Sequence, residues 1–358
     1  MRATVTVAAF TWLLITAEGV LRPFATALLL ALILSASSER LVRLVPSRWR
    51  RGKTVARLVS VLGIGAIVLG VALLVVEAVG QLRANVDVYA ANLNFLLSEV
   101  QSRTGSEQEI TVIGLVRQMD LRAMALGFAA STAAFGSVFF VVVLYVVFIF
   151  SEARVFKSKL SALANSPADE AHLHSIARDI KRGIDDVLGV QVLVGILQAV
   201  PTFIVLTLVG VDAAVLWAVL VFFFSFIPTI GTAFGIAVPS LMTLLQFMTL
   251  QPFLIVLILT GAVQLYGTNI LLPRLMSRSL NVSSLAVLFA VFAGGALWGI
   301  IGAIIAVPVL TIALIVCAKI KRLRPVAVLI SADGSLPGDG NSSATVSAAE
   351  SASGPTEP

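Results

Sequence analysis

Between Val187 and Leu272 the chain is almost wholly apolar, yet it carries Gln191, Gln198, Thr202, Ser225, Thr229, Thr232, Ser240, Gln246, Gln264, Tyr266, Thr268 and Asn269, with Asp212 as its only charge. Uncharged amides and hydroxyls do one kind of chemistry well: they hydrogen-bond a neutral polar solute without the penalty of an intramembrane ion, about 2.5 to 3.5 kcal/mol on insertion scales. The same groups also serve as glue between helices. A second feature separates the two roles. The stretch FIPTIGTAFGIAVP, Phe226 to Pro239, places Pro228, Gly231, Gly235 and Pro239 where an ordinary apolar helix would carry leucines. Pro228 removes a backbone donor and frees a carbonyl one turn upstream. As packing devices, Gly231 and Gly235 form a small-xxx-small face; as functional devices, the break opens backbone groups to a solute path, as discontinuous helices do in transporters.

The surroundings of these residues follow from composition. Of 358 residues, 58% are hydrophobic and only 12% charged, whereas a soluble domain is about a quarter charged. Apolar runs such as Val59 to Val76, Phe135 to Phe150 and Ala213 to Phe224 make an all-α, polytopic helical membrane protein the expected fold class. We expect about seven to eight spans or half-spans of roughly 20 residues each, plus broken helices and a C-terminal re-entrant-type hairpin. A single cysteine, Cys317, excludes an internal disulfide and a multi-cysteine metal site.

The net charge of +6 raises nucleic acid as a partner, but its distribution argues otherwise. Arg40, Arg43, Arg48, Arg50, Arg51, Lys53 and Arg57 form one cluster; Arg154, Lys157 and Lys159 a second; Lys319, Lys321, Arg322 and Arg324 a third. Each flanks an apolar run, which places these segments in the cytoplasm by the positive-inside rule. Both termini are then expected in the cytoplasm. The run Val5 to Val20 imitates a signal peptide, but with only Arg2 before it and another apolar run after it, it reads as a retained span.

Four regions follow. Residues 1–79 hold N-terminal membrane helices and the basic loop, with a tight hairpin expected around Arg22 and Pro23. Residues 80–122 leave the membrane on the outer side. There Leu82, Val86, Tyr89, Leu93, Leu96 and Val100 form one helical stripe, and charges of both signs are balanced. Residues 123–325 form the membrane core, including a cytoplasmic amphipathic helix over 166–186 that starts at Ser166 and Pro167. Spans are expected at about 187–209, 213–228, 230–250 and 253–272, with Asp212 at an outer turn after Gly210. The block Ser283 to Ala318 has basic residues at both ends and is too short for two full spans, so we expect two short helices turning inside the membrane near Gly294 and Gly295. Residues 326–358 are rich in Ser, Ala, Gly and Pro and read as a disordered cytoplasmic tail.

Three motifs resemble a known family. FIPTIG looks like its IP-x-x-G motif, NILLPRLM (Asn269 to Met276) like its N-x-x-x-P segment, and GGALWGIIGAIIAVPV (Gly294 to Val309) like its G-G-x-x-x-G-x-x-G-x-x-x-A-x-P signature. Over roughly residues 5 to 322 the pattern is similar to the autoinducer-2 exporter family of bacterial inner-membrane proteins. The resemblance implies an exporter of small solutes, the furanone signal autoinducer-2 in some members and sodium/proton antiport in others, and it suggests a homo-oligomer. Two departures stand out. Where the family often places a glutamate two or three residues before the asparagine matching Asn269, this chain has Tyr266 and Gly267; where it often reads His-Pro before the last apolar block, this chain has Ser283 and Ser284. An antiporter needs a titratable group in its pathway, so the missing glutamate weakens antiport, although Glu18, Glu77, Asp185, Asp186 and Asp212 near span ends could still serve.

The expected activity is export of a small neutral or weakly polar solute across a lipid bilayer, with no enzyme chemistry, cofactor, metal or nucleic acid. No nucleophile-and-base set, Walker loop or dinucleotide fingerprint occurs. His172 and His174 with Asp169 and Glu170 lie on a surface helix where i and i+2 side chains point apart. The break at Pro228 and Gly231, extended by Gly235 and Pro239, and the hairpin with Gly294, Gly295, Gly299, Gly302 and Pro308 are expected to line or gate the path. Gln264, Asn269 and Thr229 are the expected solute-facing groups, with Pro273 and Arg274 at the cytoplasmic mouth. The alternative is a sodium or lithium/proton antiporter coupled through Asp185, Asp186 or Asp212; a second alternative is an envelope scaffold that transports nothing.

Overall fold

The computed structural model describes residues 12–14, 16–44, 52–104, 121–227, 230–276, 282–320, 322–334 and 336. Pro228 and Thr229 lie outside the described residues, as do residues 105–120 of the expected outer segment and 337–358 of the expected tail. Helices α1 (Glu18–Leu44), α2 (Gly52–Ala84), α3 (Val86–Thr104), α4 (Leu121–Leu163), α5 (Pro167–Val209), α6 (Ala214–Phe224), α7 (Ile230–Phe247), α8 (Leu250–Tyr266), α9 (Leu272–Met276), α10 (Ser284–Lys319) and α11 (Arg324–Ile330) make up the fold, and α8 joins α9 through a π-helical turn, Gly267–Leu271. The described residues include no strand. Five helical segments are long and apolar enough to cross a bilayer, namely Glu18–Ser35, Pro167–Val209, Ile230–Phe247, Leu250–Leu275 and Ser284–Lys319. The pair Leu69–Ala84 and Val86–Glu99, bent by 57°, adds a sixth if taken as one broken span, and Ala214–Phe224 is a shorter apolar helix. The protein is a helical, polytopic membrane protein.

Contacts divide the chain into two compact units: Met1–Leu32, Val147–Gly189 and Met276–Pro358 form one, Ile33–Val146 and Val190–Leu275 the other. In the second unit, Tyr89, Leu206, Val211, Trp217, Met242 and Val256 form a buried cluster, with Leu82 and Phe247 packed against it. Ala78, Val79, Ala213 and Leu216 make a neighbouring one. Lipid tails are as apolar as these side chains, so close packing and interhelical hydrogen bonds hold such helices together rather than the transfer of apolar surface from water. The stripe running from Leu82 at the end of α2 along α3 faces inward: Tyr89 is buried and Leu82, Val86, Leu93 and Leu96 are half-buried, while Val88 and Phe95 are exposed.

Several expectations need correction. No hairpin forms at Arg22 and Pro23: Leu21 N donates to Ala17 O and α1 runs on through both residues. Proline is tolerated in membrane helices because neighbouring groups re-satisfy the freed carbonyl. The helix expected over 166–186 does not stop before the next span but continues without a break as α5, started by Ser166 Oγ accepting from the Asp169 N–H at 3.1 Å. Residues 326–330 of the expected disordered tail are instead helical. Helix α11 returns onto α10, with Ser283 N donating to Ile330 O at 2.8 Å, and Leu314, Ala327 and Leu336 are buried together.

The turn of the α10 hairpin also sits later than Gly294 and Gly295. Backbone geometry breaks at Trp298 (φ −132°, ψ 20°) and Gly299 (φ 64°, ψ −145°), the latter a conformation open essentially to glycine alone. The chain doubles back there: a Cβ placed on Gly294 would lie 2.5 Å from the Gly302 carbonyl oxygen, and one on Gly302 would collide with the Gly294 carbonyl. A Cβ placed on Gly295 would meet only the Ala303 Cβ, at 3.9 Å. The arms therefore meet at Gly294 and Gly302.

Candidate functional site

The polar residues of the second unit assemble where α5, α7 and α8 meet. On α5, Gln191, Gln198 and Thr202 recur at helical spacing on one buried face, 3%, 1% and 0% exposed. Gln264 of α8, 2% exposed, faces them. Gln198 Nε2 donates to the Gln264 main-chain oxygen at 3.3 Å and approaches Thr268 Oγ1 at 3.4 Å. Thr268 Oγ1 and Thr232 Oγ1 of α7 lie 2.7 Å apart, and Thr202 Oγ1 donates back to Gln198 O at 2.8 Å.

Glycines make room for these amides. A Cβ on Gly235 would fall 2.8 Å from Gln264 Nε2, and one on Gly267 would collide with the Gln198 carboxamide and lie 2.7 Å from its Cγ. Gly267 also begins the π turn, a local widening of the helix often found at functional sites. Pro239, buried on α7, has no N–H to give to the Gly235 carbonyl one turn earlier. Two buried atoms of the cluster have no hydrogen-bond partner, Gln198 Oε1 and Gln264 Nε2, and a third, Gln191 Oε1, lies two turns earlier on the same face of α5. Burying an unpaired polar group costs about 1 to 3 kcal/mol. Together they offer acceptors and a donor, with no charge.

The expected path residues part company at this point. Gln264 and Gly235 are in the cluster. Asn269 is exposed, as are Pro273 and Arg274. At Gly231 a Cβ would strike the carbonyl of Phe224, the last residue of α6, so glycine is needed for the α6–α7 connection itself. Pro308, Gly302 and Gly299 belong to the α10 hairpin in the other unit. Gln198, Thr268 and Gly267 were not among the path residues expected from sequence; Gly261 and Gln264 of α8 and Thr268 of the π turn, spaced three and four apart, carry the helical-face signal that points to Thr268.

The three candidate coupling carboxylates each have their own local partners or exposure. Asp185 is paired with Lys181 at 2.7 Å one turn away, and Asp186 is exposed. Asp212 is a structural clip. Its Oδ2 accepts from Tyr89 Oη at 2.5 Å and Asn85 Nδ2 at 3.3 Å, its N–H donates to Gln246 Oε1 at 2.8 Å, and its carbonyl accepts from Trp217 Nε1 at 3.0 Å. These bonds hold a turn in which Gly210 (φ 82°) and Ala213 (φ 55°) are left-handed. Asp212→Asn replaces a charge-assisted bond by a neutral one and is expected to lower stability by about 1 kcal/mol, with Tyr89→Phe adding little in that background. Denaturant titration of the purified variants checks this; a sodium-dependent activity lost in Asp212→Asn at unchanged stability would assign the carboxylate a coupling role instead. The histidines are equally local: His174 Nε2 is 3.1 Å from Ser161 Oγ and 3.6 Å from Glu170, and His172 is exposed.

The profile of the AI-2E family of transporters matches residues 3–322. A Borreliella burgdorferi protein named "Putative transport protein" is 30% identical over 249 residues, covering 68% of this chain and 67% of its own length. "Putative transport protein YhhT" of Escherichia coli K12 is 30% identical over 188 residues, covering 52% of this chain and 53% of its own. "AI-2 transport protein TqsA" of the same organism is 26% identical over 327 residues, 88% of this chain and 90% of its own.

Proposed function

The chain belongs to the AI-2E family of transporters, and from that premise we propose that it exports a small neutral or weakly polar solute, of the autoinducer-2 type, through the Gln198–Gln264 cluster. The observation that carries this reading is the pair of buried amide atoms without partners, Gln198 Oε1 and Gln264 Nε2, in a stretch, Val187 to Leu272, whose only charge is Asp212. Uncharged donors and acceptors select a hydroxyl- or carbonyl-bearing solute over an ion, which would need compensating charge. The likeness to TqsA supports the autoinducer-2 type. We further propose that the protein is a homo-oligomer in the bacterial inner membrane, with both termini and the basic loops in the cytoplasm and residues 80–122 outside.

Sealed vesicles containing the purified protein test the proposal by following autoinducer-2 release and, separately, internal pH after a sodium pulse. Release without a sodium-dependent pH change is the expected result. A sodium-dependent pH change without release overturns it in favour of an antiporter, and silence in both assays overturns the autoinducer-2 assignment.

A further inference from the structure

The first candidate span, Glu18–Ser35, carries two charges, Glu18 and Arg22. Charges inside a span are costly and are kept where they act on something. They form an ion pair at 2.9 Å, one turn apart. Arg22 does more: its Nε donates to the main-chain oxygen of Trp298 at 3.2 Å. That oxygen ends the first arm of the α10 hairpin, where a helix leaves carbonyls without partners and a cation is favoured. Gly299, the left-handed residue of the turn, lies beside the guanidinium, a Cβ there coming to 3.4 Å from Arg22 Nη2, ordinary contact distance. A second bond runs the opposite way, from Trp298 Nε1 to Leu14 O at 3.2 Å.

We propose that Arg22 is the positioning residue of the hairpin turn, a latch that fixes Trp298 and Gly299 against the N-terminal helix. The guanidinium serves Glu18 and the Trp298 carbonyl together through separate nitrogens, Nη2 and Nε. With the latch released, the turn moves, while the neck at Gly294 and Gly302 and the seat of α11 on α10 stay closed. This holds whatever the solute.

The test uses the full-length protein in lipid nanodiscs, in a Cys317→Ser background, with a nitroxide on Ala296→Cys beside the turn or on Val328→Cys in α11. Arg22→Gln is expected to raise the ratio of mobile to immobile label at 296 roughly tenfold and to leave 328 unchanged, as loss of one charge-assisted bond implies. Arg22→Lys restores part of the immobile signal, and Glu18→Gln, which keeps the cation but frees its position, falls between the two. An unchanged spectrum at 296, an equal rise at both positions, or no recovery in Arg22→Lys overturns the latch. Where Arg22→Gln does not accumulate, the Arg22→Lys and Glu18→Gln pair decides by the same comparison.

Discussion

Gln264→Leu is expected to cut solute export at least roughly tenfold per assembled molecule while leaving the protein as stable as the parent or more so. The two effects have opposite signs for one reason. Gln264 Nε2 is buried and unpaired, so an apolar side chain of similar size removes a group whose burial costs about 1 to 3 kcal/mol. The bond from Gln198 survives, because it ends on the Gln264 main-chain oxygen. A residue kept at such a cost is kept for something other than the resting fold. Gln198→Leu behaves differently: it loses the same solute contact and also the bonds to Gln264 O and Thr268 Oγ1, so export and stability fall together. Thermal midpoints and vesicle flux on the two variants decide the matter. Unchanged flux in a stabilised Gln264→Leu protein would reduce the cluster to packing between helices and remove the basis of the proposed solute site.

What the sequence revealed depended on distance along the chain. Membrane spans and the uncharged inventory between Val187 and Leu272 follow from composition and periodicity, which are local. The partners of Asp212 do not: Tyr89 lies 123 positions earlier, and a charge after Gly210 looks the same whether it marks an outer turn or clips one helix to another. Glycine spacing was ambiguous in a similar way. Gly294 and Gly295 signal a turn, yet the positive φ falls on Gly299, and Gly294 is needed for its approach to Gly302. Gly231 and Gly235 lie on one face of α7 but answer to different neighbours, the Phe224 carbonyl and the Gln264 amide. Asn269 drew attention as part of a motif, whereas the π turn leaves it exposed and Thr268 within the cluster. Gly267, a departure from the family pattern at the level of sequence, hosts the Gln198 side chain, so the space a larger residue would fill is taken by an amide from α5.

The hairpin gives the second large effect, because its glycines are unequal. Gly302→Ala is expected to lower the thermal midpoint sharply and to abolish export, and Gly294→Ala nearly as much, while Gly295→Ala stays close to the parent in both. Overpacking a side-chain contact costs about 1 to 3 kcal/mol because rotamers give way. At Gly302 the obstacle is the Gly294 carbonyl, which is backbone, and no rotamer relieves it; the arms must separate, and the turn at Trp298 and Gly299 loses its neck. A methyl on Gly295 meets only the Ala303 Cβ at ordinary contact distance, 3.9 Å. Gly299→Ala fails by another route, placing a side chain in a left-handed conformation that costs about 1 to 3 kcal/mol. Melting curves of the four variants in detergent order them without any assumption about the solute. If Gly302→Ala melts with Gly295→Ala, the arms do not meet at these residues, and α10 has to be redrawn as one kinked helix. If it melts far below, close approach of two backbones is what these glycines supply, and their bearing on export follows from the geometry of the turn they hold.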